Sequence, residues 1–326
     1  MSATLRAWSI RRYGKPDQLE PVERPMPAPG PTEILIRIHA SAVTRADGMM
    51  RAGQPRFARA FLGLRRPRNN LSGTGLSGEV ISIGTGVSRF AAGDAVFGEA
   101  GMRFGANATH ICLDENGVLM KKPASLPHED AAVMCDGPLT SLHFLQTVAS
   151  LQAGKRVLIL GGSGSLGSAG VQIAAAMGAT VTATTSARNT GLVADLGAHH
   201  VIDYKQQEPL RGNAEYDVIF DTLGVTSFSH APNSLAQGGR YICPVLSLNL
   251  LGAMVQTSAF GSRKARFSAA GLQKPEYLRG LLEQLTDMSG NHTLAPVFDR
   301  IYPLDDLVAA HQHMETGHKR GNIVVV

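Results

Sequence analysis

The sequence predicts a two-domain α/β protein: a compact barrel-like β domain joined to a doubly wound parallel sheet. Three observations predict it. A chain of 326 residues is longer than one typical domain. From about residue 155, short apolar runs alternate with helical stretches, the pattern of parallel strands buried on both faces. Between the apolar run 157–160 and the small-residue stretch 168–177 stands the glycine cluster Gly161-Gly162-Ser163-Gly164-Ser165-Leu166-Gly167.

Taken in order, residues 1–120 read as short strands between turns: 34–40 after the Pro-rich stretch 21–31, then 79–84 and 93–98. Residues 129–151 read as helical, broken or kinked at Gly137-Pro138. Then come a strand at 157–160, a helix at 165–177 and a strand at 180–184. A helix at about 188–196 and strands at 201–204, 217–221 and 240–243 follow. The tail carries a helix at 274–285 and a strand at 322–326.

The glycine cluster has the spacing of a pyrophosphate loop. Gly162 would allow the tight turn, Gly164 the approach of backbone to phosphate, and Gly167 close packing of helix on strand. Ser163, Ser165 and Leu166 complete the loop, and the anion would rest on unpaired N–H groups at the helix N-terminus. The alternative is a glycine-rich turn without a ligand.

Hydrophobic residues at 44% and charged residues at 17% are those of a soluble globular chain and exclude a disordered one. No apolar run reaches the ~18 residues of a membrane span. The first fourteen residues carry Arg6, Arg11 and Arg12 without a continuous apolar segment, so they do not read as a secretory signal. Cys112, Cys135 and Cys243 are too widely spaced for a metal knuckle or a disulfide framework, which fits a reducing, cytoplasmic setting. A net charge of +5 favours anionic ligands without indicating nucleic acid.

The chain resembles the zinc-independent medium-chain dehydrogenases/reductases, in their quinone oxidoreductase-like branch. The resemblance is carried by Ala42-Val43-Thr44-Arg45-Ala46-Asp47, Gly73 to Gly78 with Glu79-Val80, Ile83-Gly84-Thr85-Gly86-Val87 and Phe90 to Gly98. It continues through Pro138-Leu139-Thr140-Ser141, the glycine loop, Leu196-Gly197-Ala198, Val201-Ile202-Asp203-Tyr204, Asp221-Thr222-Leu223-Gly224 and Gly321-Asn322-Ile323-Val324, nearly end to end. It implies a Rossmann domain, residues 124–268, inserted in a GroES-like β domain made of 1–123 and 269–326. It also implies cofactor contacts from Leu223 and Asn322.

Zinc enzymes of this superfamily hold catalytic zinc with Cys, Gly-His-Glu and a second Cys. Here those positions carry Thr44, Gly73-Thr74-Gly75 and, near the third, Cys135 and Asp136. Without three N or S donors no catalytic zinc is expected. The eleven histidines show no ligand spacing; His199-His200 and His311/His313 read as solvated or capping residues.

NAD enzymes place a carboxylate about 20 residues past the glycine loop, at the end of the second strand. Here residues 182–189 read Thr-Ala-Thr-Thr-Ser-Ala-Arg-Asn, and no acid appears before Asp195. Ser186 can hydrogen-bond a 2′-phosphate and Arg188 can pair with it, unless Arg188 only solvates the following helix. The resemblance adds Tyr204 against the adenosine phosphate. NADP(H) is therefore expected.

The resemblance assigns the nicotinamide to Thr140 and to an Asn-x-x-Asp motif, which here reads Thr44-Arg45-Ala46-Asp47. A tyrosine common two residues on is Met49. The Thr44 hydroxyl can donate one hydrogen bond to a substrate carbonyl or a ribose. Asp47 reads equally as a helix cap. Thr44, Asp47 and Thr140 are the candidate catalytic residues.

Arg51, Arg56, Arg59, Arg65, Arg66 and Arg68 alternate with Phe57, Phe61, Leu62 and Leu64. That segment reads as a solvated basic loop with a partly buried apolar face, as a gate for anionic substrates or acyl phosphates, or as a nucleic-acid or membrane contact. The apolar stretch 245–255 predicts a homodimer interface, or a buried element within one chain. The activity expected is hydride transfer from NADPH to a quinone or an α,β-unsaturated carbonyl. Alternatives are an NADPH-binding protein with little turnover, acting through a partner surface, and a zinc-free alcohol dehydrogenase-like activity. The partners expected are a small-molecule substrate and a second copy of the chain, with neither nucleic acid nor a membrane span.

Overall fold

The computed structural model describes residues 4–56, 59–212 and 215–326. Phe57 lies outside the described residues, as do the side chains of Phe61 and Leu62. The chain divides into two units. One comprises residues 1–136, 274–284 and 298–326; the other comprises 137–273 and 285–297.

The first unit opens with β1 (Thr4–Ile10) and β2 (Leu19–Pro25), an antiparallel pair. β3 (Glu33–Val43), α1 (Arg45–Ala52), α2 (Arg59–Leu62), β4 (Gly75–Ile83), β5 (Ala95–Glu99), β6 (His110–Asp114), β7 (Val118–Lys121) and α3 (His128–Met134) follow. The second unit runs through α4 (Gly137–Leu142), β8 (Arg156–Leu160), α5 (Ser165–Ala176), β9 (Thr180–Thr185), α6 (Thr190–Asp195) and β10 (His200–Asp203). It continues with β11 (Tyr216–Asp221), β12 (Leu235–Ile242), α7 (Leu248–Ala259) and β13 (Lys264–Arg266). After α8 (Pro275–Gly290), β14 (Phe298–Tyr302), α9 (Leu307–Glu315) and β15 (Asn322–Val325) return to the first unit.

In the first unit, seven strands form one sheet in the order β14-β15-β3-β4-β5-β7, with β6 on β3. Ile34, Ile36, Leu76, Val80, Val96 and Leu119 are buried together at its core, as alternation along antiparallel strands dictates. In the second unit, six parallel strands lie in the order β10-β9-β8-β11-β12-β13. Leu158, Ile219 and Ala265 are fully buried there, as expected of strands covered on both faces. The reversal between β8 and β11 is the switch point at which this topology binds ligands.

Three details differ from the sequence reading. The division falls after Asp136, not near residue 124, because Ala132 and Val133 of α3 pack with Ala40, Ala42 and Val324 of the first sheet. β12 is not the last strand of the parallel sheet: the short β13 pairs with it at the edge, and Lys264 and Arg266 hide it from an apolar-run search. The helical stretch after 128 breaks at Cys135-Asp136, restarts at Gly137-Pro138 and ends in a π-helical turn, His143–Val148. Pro138 sits in the first turn of α4, where its missing N–H costs nothing.

Candidate functional site

In the second unit, the glycine loop joins β8 to α5. Gly161, not Gly162, takes the left-handed backbone, with φ at 83°. A side chain there would meet Leu223 Cδ1 at 2.6 Å, so the turn needs glycine twice over. A Cβ on Gly167 would overlap the Gly161 carbonyl oxygen, which is the close helix–strand packing expected of the third glycine. Gly164 is the N-cap of α5; no side chain caps it, and a Cβ there would find no neighbour nearer than 3.5 Å. The first turn of the twelve-residue helix α5 has backbone N–H groups without i−4 carbonyl partners. That end can take an anion.

The loop is held from three sides. Gly161 and Gly162 donate their N–H groups to Thr184 Oγ1 (3.1 Å) and to the Thr184 carbonyl (2.8 Å). Ser163 Oγ accepts from Thr185 Oγ1 at 2.9 Å and Asn189 Nδ2 at 3.2 Å, so its hydroxyl anchors the loop. Ser141 Oγ, one residue past Thr140 on α4, donates to the Leu166 carbonyl at 2.8 Å. Thr140 itself is half-buried.

At the ends of β9 and β10 the structure brings Tyr204 beside the segment that carries Ser186 and Arg188. Thr185 pairs with Asp203, and the Tyr204 N–H donates to the Thr185 carbonyl at 3.2 Å. Ser186, Arg188 and Tyr204 therefore share one strand end, with Arg188 exposed and the Tyr204 ring half-exposed.

Sequence reasoning misses the residue that builds the loop after β11. Asp221 is fully buried. Its Oδ1 accepts from the N–H groups of Leu223, Gly224 and Val225, and its Oδ2 from Thr226 N at 3.0 Å and Tyr241 Oη at 2.9 Å. Thr222 Oγ1 donates to the Leu160 carbonyl at 2.7 Å, which seats this loop against the glycine turn and fixes Leu223 beside it.

In the first unit, Thr44 and Asp47 open α1 with a reciprocal capping box. Thr44 Oγ1 accepts from Asp47 N at 3.1 Å, and Asp47 Oδ2 accepts from Thr44 N at 2.9 Å. The Thr44 hydroxyl also donates to Asp47 Oδ2 at 2.8 Å. Burial, with the Asp136 charge nearby, pushes the Asp47 carboxyl up to about 7 against the opposing pull of the Thr44 and Thr74 donors. Burial and the charges of Asp136 and Asp47 push Glu99 up to about 8. Burial also raises the Cys135 thiol, and lowers the Lys319 ammonium against the pull of Asp136 and Asp299. Sequence spacing gives no sign of this cluster, whose members come from α1, β5, the end of α3 and the turn before β15. Asn322 is buried at the start of β15.

The arginine segment is less a solvated loop than its sequence predicts. Arg51 is wholly buried, paired with Glu315, and donates to the Gly14 carbonyl at 2.5 Å. Arg59 stacks over the Tyr13 ring at 4.5 Å and donates to the Ala52 and Gly53 carbonyls. Arg56, Arg65, Arg66 and Arg68 are exposed. Nor is His311 solvated: it is fully buried with both ring nitrogens unpaired, because α9 turns it inward beside Arg51. His313 instead bonds Asp299 at 2.5 Å. Among the described residues no group of three His, Cys, Asp or Glu side chains is placed to hold a metal ion.

Family models place this geometry. Residues 30–133 match the alcohol dehydrogenase GroES-like domain, and residues 196–325 match the zinc-binding dehydrogenase model. A mitochondrial NAD(P)H oxidoreductase of Danio rerio is 30% identical over 98% of this chain and 90% of its own. The chain belongs to the medium-chain dehydrogenase/reductase family, in its quinone oxidoreductase-like branch. A trans-enoyl reductase of Aspergillus terreus is 28% identical, covering 91% of this chain and 86% of its own. The solved quinone oxidoreductase of Coxiella burnetii superposes with a TM-score of 0.85 at 27% identity, covering 99% of each chain. The medium-chain family accounts for both sheets: a GroES-like one in the first unit and a Rossmann one in the second.

Proposed function

We propose that this family member is a zinc-independent reductase that uses NADPH to reduce quinones or α,β-unsaturated carbonyl compounds. The observation that carries the cofactor choice is the strand end shared by Ser186, Arg188 and Tyr204. It offers a hydroxyl, a guanidinium and an aromatic face, and β9 ends in Thr185-Ser186 without the carboxylate that holds the ribose in NAD enzymes. Pyrophosphate would rest on the N–H groups of Ser165, Leu166 and Gly167 at the start of α5. The bound dinucleotide supplies the hydride, while the protein supplies position and electrostatics. Thr140 holds the nicotinamide, Leu223 packs beside it, and Asn322 contacts the cofactor. The Thr44 hydroxyl, whose proton goes to Asp47 Oδ2, caps α1 and holds the Asp47 carboxyl in place. The relatives named as quinone oxidoreductase and trans-enoyl reductase support the two acceptor classes.

We also infer a homodimer. Leu248, Val255 and Phe260 on and after α7 are 78%, 73% and 75% exposed, next to the sheet edge at β13, and isologous pairing would cover them. Sedimentation at micromolar concentration separates this from a monomer of 34.5 kDa. Three buried free cysteines support a reducing compartment, the cytoplasm, and no described helix is long and apolar enough to cross a membrane.

The deciding experiment is NADPH oxidation against a panel of quinones and enones, before and after chelator dialysis. Turnover that survives dialysis supports the proposal. Tight NADPH binding without oxidation of any acceptor would make this a binding protein, and loss of activity with loss of stoichiometric zinc would overturn zinc independence.

A further inference from the structure

The folded chain sets its arginine turn against a second basic loop. Residues 63–68 close on themselves: a Cβ on Gly63 would overlap the Arg66 carbonyl oxygen and stand 3.2 Å from the Arg68 nitrogen. Against this turn lies the loop between β1 and β2. The Tyr13 N–H donates to the Arg65 carbonyl at 3.4 Å, and the Tyr13 hydroxyl donates to the Gly63 carbonyl at 2.8 Å. The inward-turned arginines hold this join. Arg59 covers the Tyr13 ring, and Arg51 donates to the Gly14 carbonyl.

The join gathers charge of one sign. Arg11, Arg12 and Lys15 on one loop, and Arg65, Arg66 and Arg68 on the other, are all exposed. Arg11 and Arg12 share the neutral Gln18 amide oxygen. Among the described residues none of these six side chains is in an ion pair. Asp17 is the one carboxylate in residues 11–18, and residues 48–78 hold none. Within the arginine turn stands Leu64, 78% exposed.

The two features together choose the partner. Cations without nearby carboxylates keep their field directed outward, and an extended anionic surface answers it. Charge alone does not account for Leu64. An apolar side chain among arginines fits the boundary between headgroups and acyl chains, where its tip is buried while the guanidinium groups meet lipid phosphates. A nucleic acid would instead use open aromatic faces for its bases. Tyr13 is the one aromatic residue of the two loops, and Arg59 lies over its ring.

We propose that this surface docks the protein peripherally on an anionic phospholipid bilayer. Leu64 enters the headgroup boundary, and the six cations pair with lipid phosphates and carboxylates. Docking needs no turnover, so it stands apart from the reductase reading above.

Co-sedimentation of the full chain with phospholipid vesicles tests this. The wild type should sediment with vesicles of phosphatidylcholine and phosphatidylserine, stay in solution with phosphatidylcholine alone, and be released as salt rises. Arg65→Gln, Arg66→Gln and Arg68→Gln should each weaken partitioning about fivefold, the worth of one cation at such a surface. Lys205→Gln, which removes an exposed cation of the second unit, should leave it unchanged. Leu64→Trp reads insertion directly, because the chain's one tryptophan, Trp8, is buried. Its emission should shift to shorter wavelength on the anionic vesicles, while that of the wild type stays in place. The substituted side chains are all exposed, and thermal unfolding checks that each variant keeps its fold. A wild type that does not sediment with the anionic vesicles at low salt would overturn the inference. Equal losses in Lys205→Gln and the arginine variants would overturn it too, by showing attraction through net charge alone. So would an unshifted Leu64→Trp emission, or retention of single-stranded RNA in preference to the vesicles. Each of these results leaves the reductase reading where it stands.

Discussion

The Tyr241 hydroxyl donates to Asp221 Oδ2 at 2.9 Å, tying β12 to the loop that follows β11. Four backbone N–H groups converge on the same carboxylate, so the aspartate substitutes for the missing hydrogen bonds of residues 223–226. Burial and the adjacent Asp221 charge raise the Tyr241 pKa far beyond its usual range, so it stays a donor at every accessible pH. Leu223, a candidate cofactor contact, sits where it does because of this arrangement.

Tyr241→Phe removes one donor to a buried carboxylate and leaves the ring in place. A hydrogen bond to a charged group is worth about 1.5–3 kcal/mol, and the variant should lose that much in denaturant unfolding. The Asp221 loop should also loosen, which amide hydrogen exchange at residues 223–226 would detect. Unchanged exchange there would mean that the four N–H groups hold the loop unaided.

Arg188→Ala tests the cofactor choice. If the guanidinium pairs with a 2′-phosphate, NADPH affinity should weaken by about 1.5–3 kcal/mol while NADH is little changed. Calorimetry with both dinucleotides reads the difference. Equal losses would show that Arg188 contributes only general charge.

His311 makes stability depend on pH. Burial, with Arg51 beside it, pushes its pKa down from 6.5 to about 3. The unfolded chain therefore binds a proton that the folded one refuses between these values. Stability from this group is fully present above about pH 6.5 and is lost as pH falls towards 3, by at most about 1.4 kcal/mol per pH unit. His311→Leu removes the titration without leaving an unpaired polar group. Its stability should fall less steeply than that of the wild type across this window. Parallel stability curves for the two proteins would refute the assignment.

How much of this is legible in the sequence depends on how local the signal is. The strands at 157–160 and 217–221 declare themselves as apolar runs, and the glycine loop by its spacing, because each is fixed by near neighbours. The strand end made by Ser186, Arg188 and Tyr204 is legible because parallel strand order places it. The acid cluster is not: Asp47, Glu99, Asp136 and Lys319 meet only through the folding of the first unit, and no spacing records it. His311 reads as a surface residue because polarity alone does not say which side of α9 faces inward. The apolar stretch 245–255 is visible, but its division into a buried Leu250 and an exposed Leu248 and Val255 follows from the helix phase.

Gly161 offers the sharpest test of the loop, because by spacing its neighbour Gly162 reads as the turn residue. A left-handed backbone disfavours any L side chain by about 1–2 kcal/mol. An alanine at 161 would also press on Leu223 Cγ at 2.9 Å and Thr222 Oγ1 at 3.1 Å. Gly161→Ala should therefore lower stability by at least that amount and weaken dinucleotide binding by shifting the Leu223 loop. Gly191 is the control. It lies in α6, where an added methyl group would have nothing within 4 Å. Gly191→Ala should stabilise the protein by about 0.5–1 kcal/mol and leave binding intact. Thermal unfolding and NADPH titration of the two variants side by side decide it. If Gly161→Ala binds as tightly as Gly191→Ala, the contact between the glycine turn and the Asp221 loop does not shape the cofactor site.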